Sequence, residues 1–148
     1  MKIKEFFLYL HQLPQELLGS IVIKVCKGEK GEKYKDCTIY WVEKDFGVSL
    51  ASKIILSKKY KNSTTVKPHE YGHSRQSKRL GWLYLPVVGI KSAVFNNWWD
   101  RQFHKGWTNA ERNLWYYSRF PEGWNRKKPQ WWWKFSADYL GGVERNFA

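Results

Sequence analysis

The sequence predicts a compact α+β fold in a single domain over residues 1–148. Three observations carry that prediction. A chain of 148 residues, 43% of them apolar, is long enough for one hydrophobic core and too short for two. Apolar residues recur at helical spacing near the start, and a second helical stretch, HEYGHSRQSKR, occupies residues 69–79. Between them stand two β-rich runs, CTIYWV and VSLASKIILS.

Phe6, Leu10, Leu13, Leu17 and Ile21 mark one helical face, and Pro14 can open a helix but not sit inside one, so two short helices should meet at Leu13-Pro14. KGEKGEKYKD follows, charged and with two glycines, and reads as a solvated loop. The two β-rich runs are separated by EKDFG and should pair as a hairpin. A basic loop, KKYKNSTT, then offers Ser63, Thr64 or Thr65 as cap for the HEYGHSRQSKR helix, which should stop at Gly81. WLYLPVVGIKSAVF is a buried or interfacial segment, and the remainder is Trp-rich helix and loop.

Lys and Arg number 26 against 13 Asp and Glu, a net charge of +13 that favours anionic partners such as lipid or nucleic acid. The two cysteines, Cys26 and Cys37, are too few for a disulfide framework and read as reduced thiols. With no cleavage pattern after the basic start, a cytoplasmic location is expected, with peripheral attachment to a membrane. The apolar stretches 6–25 and 81–95 fall short of the roughly 20 clean residues of a spanning helix, interrupted by Pro14 with Glu16 and by Pro86 with Lys91.

His69, Glu70 and His73 form H-E-x-x-H. On a helix the two imidazoles stand one turn apart on one face and can share a Zn²⁺ ion, while Glu70 beside them can take a proton from activated water and pass it to a leaving amine. That is the arrangement of a peptide hydrolase. A third ligand is required. The extended spacing that places a histidine six residues after the second one is excluded by Arg79. Glu122 in SRFPEGW is preferred, with Glu111, Asp138 and His104 as competitors. Tyr116, Tyr117 and His104 are candidates to donate a hydrogen bond to the oxyanion of a tetrahedral transition state, Tyr117 and His104 being the two selected. Gln76 and Ser77 are expected to orient neighbouring groups.

HEYGHSRQS, LGWLYLPVVGIKS, the Tyr-Tyr pair, the Glu-x-Trp element and ADYLGGV, in that order, resemble a group of small bacterial zincin-like proteins over most of the chain. The resemblance implies a gluzincin-like metallopeptidase fold, with Glu122 as third ligand taken from a later helix. It also implies that Asp138 holds the outer N–H of a ligating imidazole. Two features depart from that pattern. NRKKPQWWWKFS intervenes between Trp124 and Ala137, interrupting the helix that would carry both acids, and Pro68 directly precedes His69, which places it in the first turn.

Eight of the ten Trp lie between Trp98 and Trp133, interleaved with Arg101, Lys105, Arg112, Arg119, Arg126, Lys127, Lys128 and Lys134. Indole and cation together suit an anionic membrane surface, and a basic aromatic surface can also stack single-stranded nucleic acid or serve in part as core. Three consecutive Trp cannot all point inward from one helix, so at least one of Trp131, Trp132 and Trp133 should be exposed. The reading that follows is a zinc-dependent peptidase acting on peptide or protein near a membrane. The alternative is a non-catalytic membrane- or nucleic-acid-binding module on the same fold.

Overall fold

A computed structural model describes residues 1–123 and 130–144, and among these it is α+β, with seven α-helices and a four-stranded mixed sheet. Helix α1 (Ile3–His11) and helix α2 (Leu13–Val25) meet at the expected joint, with Pro14 in the first turn of α2, where its missing N–H costs nothing. Strands β1 (Glu29–Tyr34), β2 (Cys37–Val42), β3 (Gly47–Leu50) and β4 (Lys53–Ser57) follow. Helix α3 (Val66–Leu80) carries the H-E-x-x-H motif. A 3₁₀ turn (Gly81–Leu83), two π-helical segments (Leu85–Gly89 and Lys91–Trp98), α4 (Trp99–Phe103) and α5 (Asn109–Tyr117) come next. Short helices α6 (Gln130–Trp133) and α7 (Ala137–Gly141) complete the described chain.

The sheet corrects the sequence reading at two places. KGEKGEKYKD is not a loop: its EKGEKY part is strand β1, paired antiparallel to β2 around a turn in which Lys35 takes a positive φ. A strand of charged residues is stable here because it is an edge and needs one paired side only. The two β-rich runs do not form a hairpin with each other. VSLASKIILS is itself a hairpin, β3 and β4, turning at Ala51 with φ 58°, and β4 then lies parallel to β2 in the order β1-β2-β4-β3. The turn carries neither Gly nor Asn, the usual residues at positive φ, and so leaves no mark in the sequence.

One face of the sheet forms the main core with α3: Cys37, Ile39, Trp41, Ile54 and Leu56 pack with Tyr71. A second cluster joins Leu50 of β3 to Tyr84 and Val88, with Val22 of α2 against it. Helix α3 starts where Ser63 Oγ accepts the backbone N–H groups of Thr65 and Val66, and stops at Gly81, whose φ of 55° a side chain would resist. Pro68 stands in the first turn, as its geometry demands. No helix among the described residues is long and apolar enough to cross a membrane.

Candidate metal centre

Helix α3 is polar in sequence and nevertheless buried, so its polar side chains must find partners. Most do. Ser74 Oγ donates to Ala51 O at 2.9 Å, and Ser77 Oγ donates to Gln12 Oε1 at 2.6 Å while accepting from Gln15 Nε2. Gln76 Nε2 donates to Pro121 O at 3.1 Å and Phe135 O at 2.6 Å, which staples the Glu122 segment to the helix. Gln76 Oε1 accepts from His73 Nδ1 at 2.7 Å, so Gln76 has the orienting role expected of it.

His69 and His73, one helical turn apart, set their rings edge to face at 4.9 Å. Both outer nitrogens are occupied: His69 Nδ1 donates to Asp138 Oδ1 at 2.7 Å, as His73 Nδ1 does to Gln76. That fixes both Nε2 atoms inward, where they lie 3.2 and 2.9 Å from Glu122 Oε2. The three ligand-type atoms fall within 4.8 Å of one another in a buried group that could hold a metal ion. Among the competitors for third ligand, Asp138 takes the outer position. His104 donates to Asp100 at 2.7 Å and stacks on Trp107 at 3.8 Å, and Glu111 caps α5 through Thr108. Neither belongs to the cluster.

Glu122 does not come from a helix, contrary to the expectation. It sits in the turn after α5, following a cis Phe120–Pro121 bond, and is fully buried. Despite the inserted segment, Glu122 and Asp138 are brought together by backbone bonds, Ala137 N to Pro121 O at 2.8 Å and Asp138 N to Glu122 O at 2.9 Å. Asn96 Nδ2 donates to Glu122 Oε1 at 3.1 Å, holding the carboxylate's other oxygen. Sequence reasoning missed Asn96, an amide inside a helical run with no local signal. The approach of α7 to α3 depends on Gly72 and Gly141. A Cβ at Gly72 would overlap the backbone of Ala137, and one at Gly141 the carbonyl of Pro68.

Burial alone would lower the His69 pKa, but its bonds to Asp138 and Glu122 overcome it and raise the imidazole to about 10. His73 is likewise raised, burial being outweighed by the charge of Glu122. Glu122 is held well below the usual carboxylate range, because the two imidazoles outweigh its desolvation. Glu70 moves the other way, raised chiefly by burial. Its Oε2 is the one buried side-chain oxygen on α3 without a hydrogen bond. A carboxylate left open beside two inward-facing nitrogens and a third oxygen donor fits a bound divalent ion with water next to it.

Glu70 borders a cleft with two lobes of about 320 and 350 Å³, which also share Gly47, Tyr60, Asn97 and Tyr116. Strand β3 lies along the first lobe. Tyr117 lines the second and meets the His69 ring edge to face at 5.4 Å, whereas Tyr116 lines both. Burial, with the charges of Glu122 and Glu70, lifts the Tyr116 phenol well above its ordinary pKa and keeps it a donor. His104 does not line either lobe.

The class this fold and site define is an α+β domain with a buried candidate metal centre of two histidines and a glutamate. Compared with protein-family models, curated proteins and solved structures, the chain matches none.

Proposed function

We propose that this protein is a zincin-like metallopeptidase that holds one Zn²⁺ through His69 Nε2, His73 Nε2 and Glu122 Oε2 and hydrolyses peptide bonds. The observation that carries the reading is Glu70 Oε2, buried without a partner beside three converging donors. Two imidazoles and a carboxylate suit zinc, and calcium or magnesium would call for an all-oxygen set. When bound, the ion supplies a Lewis acid that polarises a carbonyl and acidifies water.

The chain's own residues do the rest. Glu70, its pKa raised by burial, accepts a proton from the attacking water at Oε2 and returns it to the departing amine. Tyr116, which lines both lobes, and Tyr117, which lines the second, would donate to the developing oxyanion. Strand β3 is an edge with one side unpaired, so an extended peptide can add to it and lie along the first lobe.

Elemental analysis of the purified protein tests the metal, and two variants test the roles. His69→Ala or His73→Ala should abolish stoichiometric zinc. Glu70→Gln should keep the zinc and lose about 100-fold or more in peptide hydrolysis. Zinc undiminished in both histidine variants overturns the site. Zinc held by a wild type that cleaves no peptide leaves the non-catalytic binding module as the better reading.

A further inference from the structure

The molecule leaves an extended apolar face without a partner, and the face is continuous. Helix α1 buries no residue at all, and Ile3 and Phe7 are 77% and 64% exposed. Helix α2 turns Gln15, Glu16 and Gly19 inward and leaves Leu17 and Ile21 outside. Trp82, 64% exposed, ties its indole N–H to Leu10 O at 3.0 Å, which joins the turn after α3 to the end of α1. Beyond it the π-helical segments are two-sided. Gly89, Ser92, Ala93 and Asn97 line the cleft, while Ile90 is exposed.

Charge is segregated along with this surface. Residues 71–99 contain no Asp or Glu. Lys2 just before α1, Lys4 on it, Lys24 and Lys27 at the end of α2, and Arg79 are exposed and make no ion pair among the described residues. Of the exposed acids, Glu5 lies on α1, where it accepts the backbone N–H of Lys2, whereas Glu29, Glu32, Asp36, Glu43 and Asp45 sit on β1, β2 and the adjoining turns, each already paired with a lysine.

We propose that the face formed by α1, the outer side of α2 and the outer side of residues 82–98 docks on an anionic lipid bilayer. Apolar side chains rimmed by uncompensated lysines match an acyl boundary beneath anionic headgroups. A second copy of the chain fits less well, because a two-fold contact through this face would set the same cations against each other. Nucleic acid fits less well too, since the exposed rings of Phe6, Phe7, Trp82 and Phe95 are interspersed with aliphatic Ile3, Leu17, Ile21 and Ile90, on which no base stacks. The helices lie on the surface, being too short to cross it. The same segment walls the cleft, so the docked bilayer is about one helix diameter, roughly 10 Å, from Glu70 and His73.

The test is flotation of the full chain with phosphatidylcholine vesicles, with and without phosphatidylglycerol. The protein should float with the anionic vesicles at low salt, be partly released at high salt, and float about tenfold less with phosphatidylcholine alone. The combined variant Phe7→Ser, Ile21→Ser, Ile90→Ser changes only exposed side chains that make no hydrogen bond and should keep its melting temperature while losing binding about tenfold or more. Protein that stays at the bottom with anionic vesicles, or a triple variant that floats like the wild type, overturns the proposal. A wild type that does not float but sediments as a dimer, which the variant abolishes, makes the face a contact between copies. Flotation requires no hydrolysis, so a failed peptidase assay leaves this outcome readable.

Discussion

At the scale of single residues, the outer bond of His69 is the most informative contact in the site. Asp138 accepts from Nδ1 at 2.7 Å and so decides which nitrogen faces Glu122. Asp138→Asn retains an acceptor oxygen but loses the charge that makes the imidazole a stronger donor to metal. Zinc affinity should fall about 10- to 100-fold in a competition titration, and an unchanged affinity would show that the contact is incidental. Cys37 is a residue of the opposite kind. Burial pushes its thiol up to about 11, so below that pH it stays protonated against Ser74. Alkylation of the native protein at pH 8 should therefore label Cys26, which is partly exposed, and spare Cys37 until denaturant is added, as read by mass spectrometry of the peptides.

At the scale of elements, the contact between α3 and α7 is what assembles the centre, because α3 supplies both histidines and α7 supplies Asp138. The two backbones touch at Gly72. Gly72→Ala would favour helix α3 by its propensity, yet the new methyl overlaps Ala137 and must push α7 away. We expect a net destabilisation of about 1–3 kcal/mol in urea unfolding, together with weakened metal binding, since Asp138 moves with α7. A gain in stability would mean that the two helices are not held this close. The sheet teaches a related lesson. CTIYWV and VSLASKIILS are each recognisable as β-rich, but the division of the second run and the parallel pairing of its KIILS part depend on a turn at Ala51 that no glycine announces. Strand β1 escapes recognition because an edge strand can be built from charged residues.

At the scale of the whole molecule, a small polar interior is organised around one cluster. Glu70, Glu122 and Asp138 are three buried carboxylates facing two imidazoles, a group whose negative charge a divalent cation would balance. Saturating zinc should therefore raise the melting temperature relative to chelated protein, by the equivalent of about 2.7 kcal/mol at a hundredfold excess over Kd. A melting curve indifferent to chelator would argue that no ion binds there. The Trp-rich stretch is mixed in environment. Trp98, Trp99 and Trp131 are exposed, Trp115, Trp132 and Trp133 are half-buried, and Trp131 meets the expectation that the triple run cannot be wholly interior. Trp124, Arg126, Lys127, Lys128 and the side chain of Arg101 lie outside the described residues.

The sequence by itself determined what is local. Two histidines four residues apart with a glutamate between them are on one face of any helix, and the Ser63, Thr64 and Thr65 run before it and Gly81 after it bound that helix by backbone chemistry alone. Glu122 was legible as the preferred third ligand and Asp138 as a candidate for the site, but not the route by which they reach it. Only the tertiary structure decided that Glu122 arrives on a turn instead of a helix, that backbone bonds bring it beside Asp138 across the inserted segment, and that Gln76 and Asn96 hold its position. Those are contacts between residues tens of positions apart. Their geometry follows from how closely α7 can approach α3, and neither periodicity nor motif spacing encodes that distance.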